Sequence, residues 1–457
     1  MKNKIKKKMT GNKKNIAKIS SGTLLGQFLA IITLPIITRI YGPEVIGIWT
    51  ILNSIATVIN SFSDLGMSNS IMVEDEKDIE STYNVITSIV AVVSIVSSFF
   101  VVFYYIIFGG LENLNSVFLF MMITLIIFLS QQVQICYTWL NRKGEYNVLM
   151  KNPMIQQGSY SVIAIILGLL GMNIYGYFIG QIFGSLITLI HMKSKLPRKF
   201  FTINVLEFKN TILRNNKFIK FQMPSRILNN FQNQLPILLI QGLWGTEVLG
   251  YFSMTIRILQ IPSTLLATAI GRVFFQTTSS LKKSGASIGQ YVYRNLSKGM
   301  MISFIPMTFL MAFGDVIAIV FLGIEWKIAG DFIRIMTLQY YFMFLMNTVL
   351  GLDIILEKQH YKMVTSFFQI LGFITGAFLG RYYFSNIYIG LVIMSLFYII
   401  IQIGYFSTLF KVMNTSVKKY LTGAIVSTVG IITLSLLVRM VFDYFEIIER
   451  LYNIIGL

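Results

Sequence analysis

The chain reads as an all-α polytopic membrane protein: two six-span halves in parallel repeat, with one or two extra C-terminal helices. Three observations predict this. The composition is too apolar for a soluble core, thirteen apolar runs of spanning length alternate with short loops, and a turn motif recurs after matching runs in the two halves.

Of 457 residues, 55% are hydrophobic and only 12% are charged, with mean hydropathy +0.69. Soluble domains carry about 25% charged residues, so a water-soluble fold of this length lacks the polar surface to cover itself. Presenting apolar side chains to lipid resolves the excess. The one cysteine, Cys136, lies in an apolar run, and the two histidines, His191 and His360, lie far apart at segment ends. Neither a disulfide framework, a metal site, a nucleophile–base pair nor a cofactor motif follows from them.

The N-terminal fifteen residues hold Lys2, Lys4, Lys6, Lys7, Lys8, Lys13 and Lys14. This resembles the charged region of a signal peptide. The apolar stretch behind it is too long and has no small-residue cleavage site, so it reads as an uncleaved first span with its basic end in the cytoplasm. A span needs about 20 mostly apolar residues. The runs are 17–40, 45–67, 83–108, 116–140, 148–170, 174–191, 217–243, 248–275, 296–322, 329–352, 361–383, 387–409 and 420–442. The stretch from Asp443 to Leu457 is short and polar for a fourteenth.

A net charge of +19 raises the question of nucleic acid, but Lys and Arg sit in short loops between apolar runs, and no basic domain interleaved with aromatics exists. Alternate loops hold Arg142, Lys143 and Lys151; Lys193, Lys195, Arg198, Lys199, Lys209 and Arg214; Lys282, Lys283, Arg294 and Lys298; Lys358 and Lys362; Lys411, Lys418 and Lys419. The intervening turns are nearly free of them and carry Tyr41, Trp244, Trp326, Tyr382 and Tyr383. Basic loops inside and aromatic turns at the other interface place the N-terminus in the cytoplasm, and the basic loops contact membrane lipids.

The largest basic loop, 192–216, divides the chain near its middle. Tyr41-Gly42-Pro43-Glu44-Val45-Ile46-Gly47 follows span one, and Trp244-Gly245-Thr246-Glu247-Val248-Leu249-Gly250 follows span seven. Leu34-Pro35 answers Leu235-Pro236, and Lys18 answers Lys220. Six spans separate the copies, so both halves cross in the same sense, as in transporters with parallel repeats. The expected lobes are 1–200 and 201–410, followed by an extra segment, 411–457.

Polar residues within spans recur at helical spacing. Span eight carries Arg257, Gln260, Thr264, Thr268 and Arg272; span seven carries Arg226, Asn229, Asn230 and Asn233; span one carries Thr23, Gln27 and Arg39. An arginine at mid-bilayer costs about 2.5–3.5 kcal/mol on insertion scales, so it normally faces a wet cavity. Arg39, Arg272 and Arg334 are close enough to span ends to snorkel to headgroups, and the Asn and Gln stripes also serve as interhelical glue. Arg257 lies about ten residues from its span end and is harder to explain that way. Spans one and seven lack Asp and Glu; Asp64 falls near the inner end of span two, and Asp315 near the depth of Arg334, which predicts a structural ion pair between those two. The lumen therefore reads as cationic and suits an anionic cargo, with arginine a bidentate partner for phosphate. The substrate-binding set is Arg257, Arg226, Arg39, Arg272, Gln260, Asn230, Asn233 and Gln27.

Ser21-Gly22, Leu34-Pro35-Ile36-Ile37-Thr38-Arg39, Tyr41-Gly42-Pro43-Glu44, Gly47 and Asp64-Leu65-Gly66-Met67-Ser68 resemble the polysaccharide or oligosaccharide flippases (Wzx type) of the MATE-like transporter superfamily. The resemblance in architecture covers about the first 410 residues and is strongest in the first 70. It implies two six-helix lobes around a central cavity, alternating access, and an undecaprenyl-diphosphate-linked oligosaccharide moved across the bacterial cytoplasmic membrane for O-antigen, capsule or other surface polysaccharide. Glycan polymerase machinery is a further partner; nucleic acid is not. The thirteenth span departs from a twelve-helix core. Rival readings are a cation-coupled multidrug exporter, which commonly has a carboxylate where span one has none, a lipid II flippase, and a membrane glycan polymerase, which usually displays a long external loop that this chain lacks.

Overall fold

The computed structural model describes residues 2–109, 114–197, 201–202 and 204–446, with side chains from Lys18 onward. The basic side chains Lys2 to Lys14, the loop residues Arg198 and Lys199, and the tail beyond 446 lie outside the described residues.

Among the described residues the chain is helical throughout: α1 (Lys2–Ile40), α2 (Pro43–Asn60), α3 (Ile79–Phe108), α4 (Ser116–Lys143), α5 (Tyr146–Leu169), α6 (Asn173–Lys193), α7 (Val205–Arg214), α8 (Met223–Trp244), α9 (Thr246–Leu259), α10 (Thr268–Lys283), α11 (Gly289–Leu322), α12 (Lys327–Thr348), α13 (Leu352–Ile355), α14 (Gln359–Phe378), α15 (Ile387–Val412) and α16 (Val417–Tyr444). Each of the thirteen apolar runs contains a helix, although in run 45–67 the helix stops at Asn60 and residues 61–66 are turns. Nine stretches among the described residues are long and apolar enough to cross a membrane: Lys18–Ile40, α3, α4, α6, Thr246–Lys283, α11, Gln359–Tyr383, α15 and α16. The other four runs are α2, α5, α8 and α12. At 1.5 Å per residue α5, α8 and α12 are about 33–36 Å long, which suffices for the hydrocarbon core. Their polar residues lower the hydropathy: Asn152, Gln156 and Gln157 in α5, Arg226, Asn229, Asn230 and Asn233 in α8, and Asp331, Arg334 and Gln339 in α12.

The chain forms two compact units, Met1–Gln234 and Leu235–Leu457, and the division falls inside α8. In the first unit α5 is the hub, packed against α1 on one side and α6 on the other. Close approach depends on small residues. A Cβ on Gly22 of α1 would lie 1.9 Å from the Met150 carbonyl oxygen, and one on Gly26 would lie 2.8 Å from Pro153. This is how helices associate in lipid, where no hydrophobic driving force separates one apolar face from another. Beside them Tyr83, Trp139, Leu140, Leu149 and Met192 form a buried core, with Gln132 donating to the Tyr83 hydroxyl at 2.9 Å.

In the second unit α11 packs along α12, α14 along α15, and α16 lies against α11. A Cβ on Gly330 would fall 2.4 Å from Asp315 Cα, so α11 and α12 touch backbone to backbone. The thirteenth run, α16, is tied to α11 by Phe442 against Phe313, with ring centroids 4.8 Å apart, and by Arg439, which donates to Asp315 at 2.8 Å. This corrects the expected pairing of Asp315 with Arg334: Asp315 is met by a residue 124 positions away instead.

The repeated motif starts a helix in both places. Helix α2 begins at Pro43 and α9 at Thr246, the third residue of each copy, with Glu44 and Glu247 in the first turn. Proline at the first helical position and an acidic first turn both favour helix initiation.

Candidate functional site

Helix α8 brings two of the expected substrate residues to a built polar site in the first unit. The turn that ends α2 has Leu65 and Gly66 in the left-handed region, φ 51° and 73°. Gly66 is required there twice over, since a Cβ would also lie 2.9 Å from the Met223 backbone nitrogen at the start of α8. That turn points Asp64 inward. Its carboxylate is fully buried and accepts hydrogen bonds from the Gly66 and Ser68 amides at 3.0 and 3.1 Å. Arg226 completes the shell, donating from Nη1 to Asp64 Oδ1 and Oδ2 at 2.9 and 2.8 Å and from Nη2 to the Asn60 carbonyl at 3.2 Å. One turn further along α8, Asn230 donates to Ser61 Oγ at 2.9 Å. Asn233, the next residue on that face, is exposed, and Gln27 of α1 is half-buried with its side-chain oxygen unpartnered among the described residues.

Asp64 as partner of Arg226 is absent from the expected set. Its signal was the Asp-Leu-Gly turn, whose glycine marks a left-handed position and whose aspartate therefore has backbone amides to accept from. Because Asp64 balances it, Arg226 contributes less positive field than its sequence position implies.

The second unit holds Arg257, Gln260 and Arg272. Arg257 lies eleven residues into α9, about 17 Å from its Thr246 end. Its side chain is exposed, and it has no hydrogen-bond or ion-pair partner among the described residues. Gln260 reaches the Tyr340 hydroxyl. The expected straight stripe from Arg257 to Arg272 crosses a π-helical turn at Ser263–Ala267, which widens the helix locally and shifts the face. All five residues nevertheless stay at least partly exposed. The Thr264 and Thr268 hydroxyls donate to their own helix, to Ile261 and Thr264 carbonyls at 3.1 and 2.8 Å. Arg39 is exposed near the end of α1; Arg272 is exposed too, but it lies eleven residues short of Lys283, where the apolar stretch Thr246–Lys283 ends.

The basic loops are partly neutralised. Lys143 donates to Glu76 at 2.7 Å and holds its carboxyl below the usual carboxylate range; Arg214 meets Glu74 and, at 3.0 Å, Asp78; Lys282 meets Glu357 at 2.8 Å.

A chain whose described residues are helical throughout, with nine stretches long and apolar enough to cross a membrane, has the architecture of a multi-pass membrane protein. Solved structures agree on the fold. The lipid II flippase MurJ in an inward closed conformation superposes with a TM-score of 0.71 at 13% identity, over 96% of this chain and 99% of that one. An inward-facing multidrug resistance MATE family transporter of the MOP superfamily gives 0.54 at 11% identity, over 91% and 95%. Residues 36–330 match the polysaccharide biosynthesis protein family, and the chain belongs to that family. It is also 22% identical over 316 residues to the succinoglycan biosynthesis transport protein ExoT of Rhizobium meliloti (strain 1021). That alignment covers 68% of this chain and 62% of the relative, less than two thirds of the relative's length.

Proposed function

We propose that this protein is a flippase that carries an undecaprenyl-diphosphate-linked oligosaccharide across the bacterial cytoplasmic membrane, from the inner to the outer leaflet, for O-antigen, capsule or other surface polysaccharide. The family and the transporter fold support the class. The observation that carries the cargo is Arg257. An unpaired guanidinium deep in a span is retained against an insertion cost of about 2.5–3.5 kcal/mol, which a mobile diphosphate offsets when it binds. Bidentate geometry favours arginine over lysine there. Within the second unit Gln260, next along the helix, and Arg272 serve the same cargo, and within the first unit Arg39, Gln27, Asn230 and Asn233 do. Arg226 acts through Asp64, as a positioning residue. Lobes at 1–200 and 201–410 that alternate access, an extra segment at 411–457, a cytoplasmic N-terminus and cooperation with a glycan polymerase belong to the same proposal.

The test is glycan export in cells carrying Arg257→Ala, Arg257→Glu or Arg257→Lys. The alanine and glutamate variants should accumulate normally yet lose export, with lysine intermediate. Normal export by both alanine and glutamate variants at normal abundance overturns the role of Arg257. A parallel arm asks whether the wild type restores growth to cells depleted of their lipid II flippase; rescue would make lipid II the cargo.

A further inference from the structure

The second unit holds a cavity of about 500 Å³ between α11, α12, α15 and α16, and none of the residues assigned to the glycan lines it. Its charged and polar side chains gather at one end. Asp331 and Arg334 lie in the first turns of α12, Tyr388 in the first turn of α15, and Arg439 near the end of α16. Away from that end the walls are apolar except for Ser395 and Ser435, whose hydroxyls donate to Gln339 and to the Ile432 carbonyl, with Leu338 and Ile399 deepest along their helices. Leu396 and Leu436, at the edge, are 52% and 55% exposed, so the cleft opens sideways towards lipid.

The charges at the polar end are not equivalent. Arg439 is balanced by Asp315 at 2.8 Å and by Asp443 at 3.2 Å. Asp331 and Arg334 are three residues apart on one helix, a spacing that puts them on one face. Each lacks a hydrogen bond or an ion pair within 4 Å among the described residues, although Asp331 feels Arg334, Lys327, Asp315 and Tyr388 electrostatically. The cleft therefore presents one carboxylate and one guanidinium, separately, at the mouth of an apolar slot.

We propose that this cleft binds a zwitterionic phospholipid with a primary amine, a phosphatidylethanolamine. Its phosphate lies on Arg334, its ammonium on Asp331, and an acyl chain runs along Leu338 and Ile399. Charge complementarity selects this occupant. A purely anionic headgroup would set its phosphate on Arg334 with no ammonium to meet Asp331, three residues away on the same face. A quaternary choline matches the charges but has no N–H to donate to the carboxylate.

The experiment is native mass spectrometry of the full chain, titrated with phosphatidylethanolamine, phosphatidylglycerol and phosphatidylcholine of matched acyl chains. The wild type should retain the ethanolamine lipid about tenfold better than the other two, the order expected of one charge-assisted hydrogen bond. Asp331→Asn should bring ethanolamine and glycerol lipids to parity, and Arg334→Gln should weaken all three. Leu396→Trp, an exposed position at the mouth that touches no charge, should cut retention of the ethanolamine lipid without loss of folded protein. Equal or tighter retention of phosphatidylglycerol by the wild type overturns the proposal, as does an unchanged preference in Asp331→Asn or unchanged retention in Leu396→Trp.

Discussion

Arg226 Nη1 lies 2.9 and 2.8 Å from the two carboxylate oxygens of Asp64, a residue 162 positions earlier, and so joins the start of α8 to the turn after α2. The carboxylate is fully buried while the arginine is 26% exposed, so the two ends of this pair differ in what their loss exposes.

Removing the arginine leaves a buried charge that only two backbone amides oppose. Arg226→Ala should destabilise the protein by about 2–4 kcal/mol, read as a lower unfolding temperature in detergent. Asp64→Asn should cost less, since the partner it leaves is partly solvated. The double variant Asp64→Asn/Arg226→Gln should be less destabilised than the sum of the singles, because the two changes share one interaction. Additive losses would show that the pair is not coupled.

Arg439 is expected to anchor α16. Truncation after Val412 removes it and leaves Asp315 of α11, packed against α12 at Gly330, without its guanidinium partner, so the truncated protein should lose folded yield. Asp315→Asn should recover part of that yield in the truncated chain while lowering the stability of the full one. Fluorescence-detected gel filtration of the four proteins measures this, and no recovery would mean that the apolar contacts of α16, not its charge, hold the unit together.

Backbone proximity between α1 and α5 makes a further prediction. Gly22→Leu should abolish folded protein, because even a Cβ overlaps the Met150 carbonyl. Gly404→Ala, in α15 with no atom within 4 Å of the added methyl, should be neutral or slightly stabilising by a few tenths of a kcal/mol.

Sidedness is tested by single cysteines in a Cys136→Ser background. Glu325→Cys and Ser385→Cys, in the turns before α12 and α15, should react with an impermeant thiol reagent in intact cells. Ser194→Cys and Ser284→Cys, in basic loops, should react only after lysis. All four positions are exposed, so reactivity reports side and not burial. The reverse pattern would invert the orientation.

The thirteen helical runs, their short connections and the recurring turn at Tyr41 and Trp244 were legible in the amino-acid order. A helix in lipid satisfies its own backbone hydrogen bonds within a few residues, so its existence depends on local composition alone. The same locality made Arg257 stand out, since a lone charge in an apolar run is conspicuous without knowledge of its neighbours. Which carboxylate meets which guanidinium was decided only by tertiary structure. Asp64 with Arg226, and Asp315 with Arg439 in place of Arg334, are contacts between residues more than a hundred positions apart. They were chosen by how helices approach at glycines such as Gly66 and Gly330, and by left-handed turns whose direction no periodicity encodes. Ion pairing falls off over a few ångströms, while helix packing moves side chains by more than that, so the partners emerge only once the helices are in place.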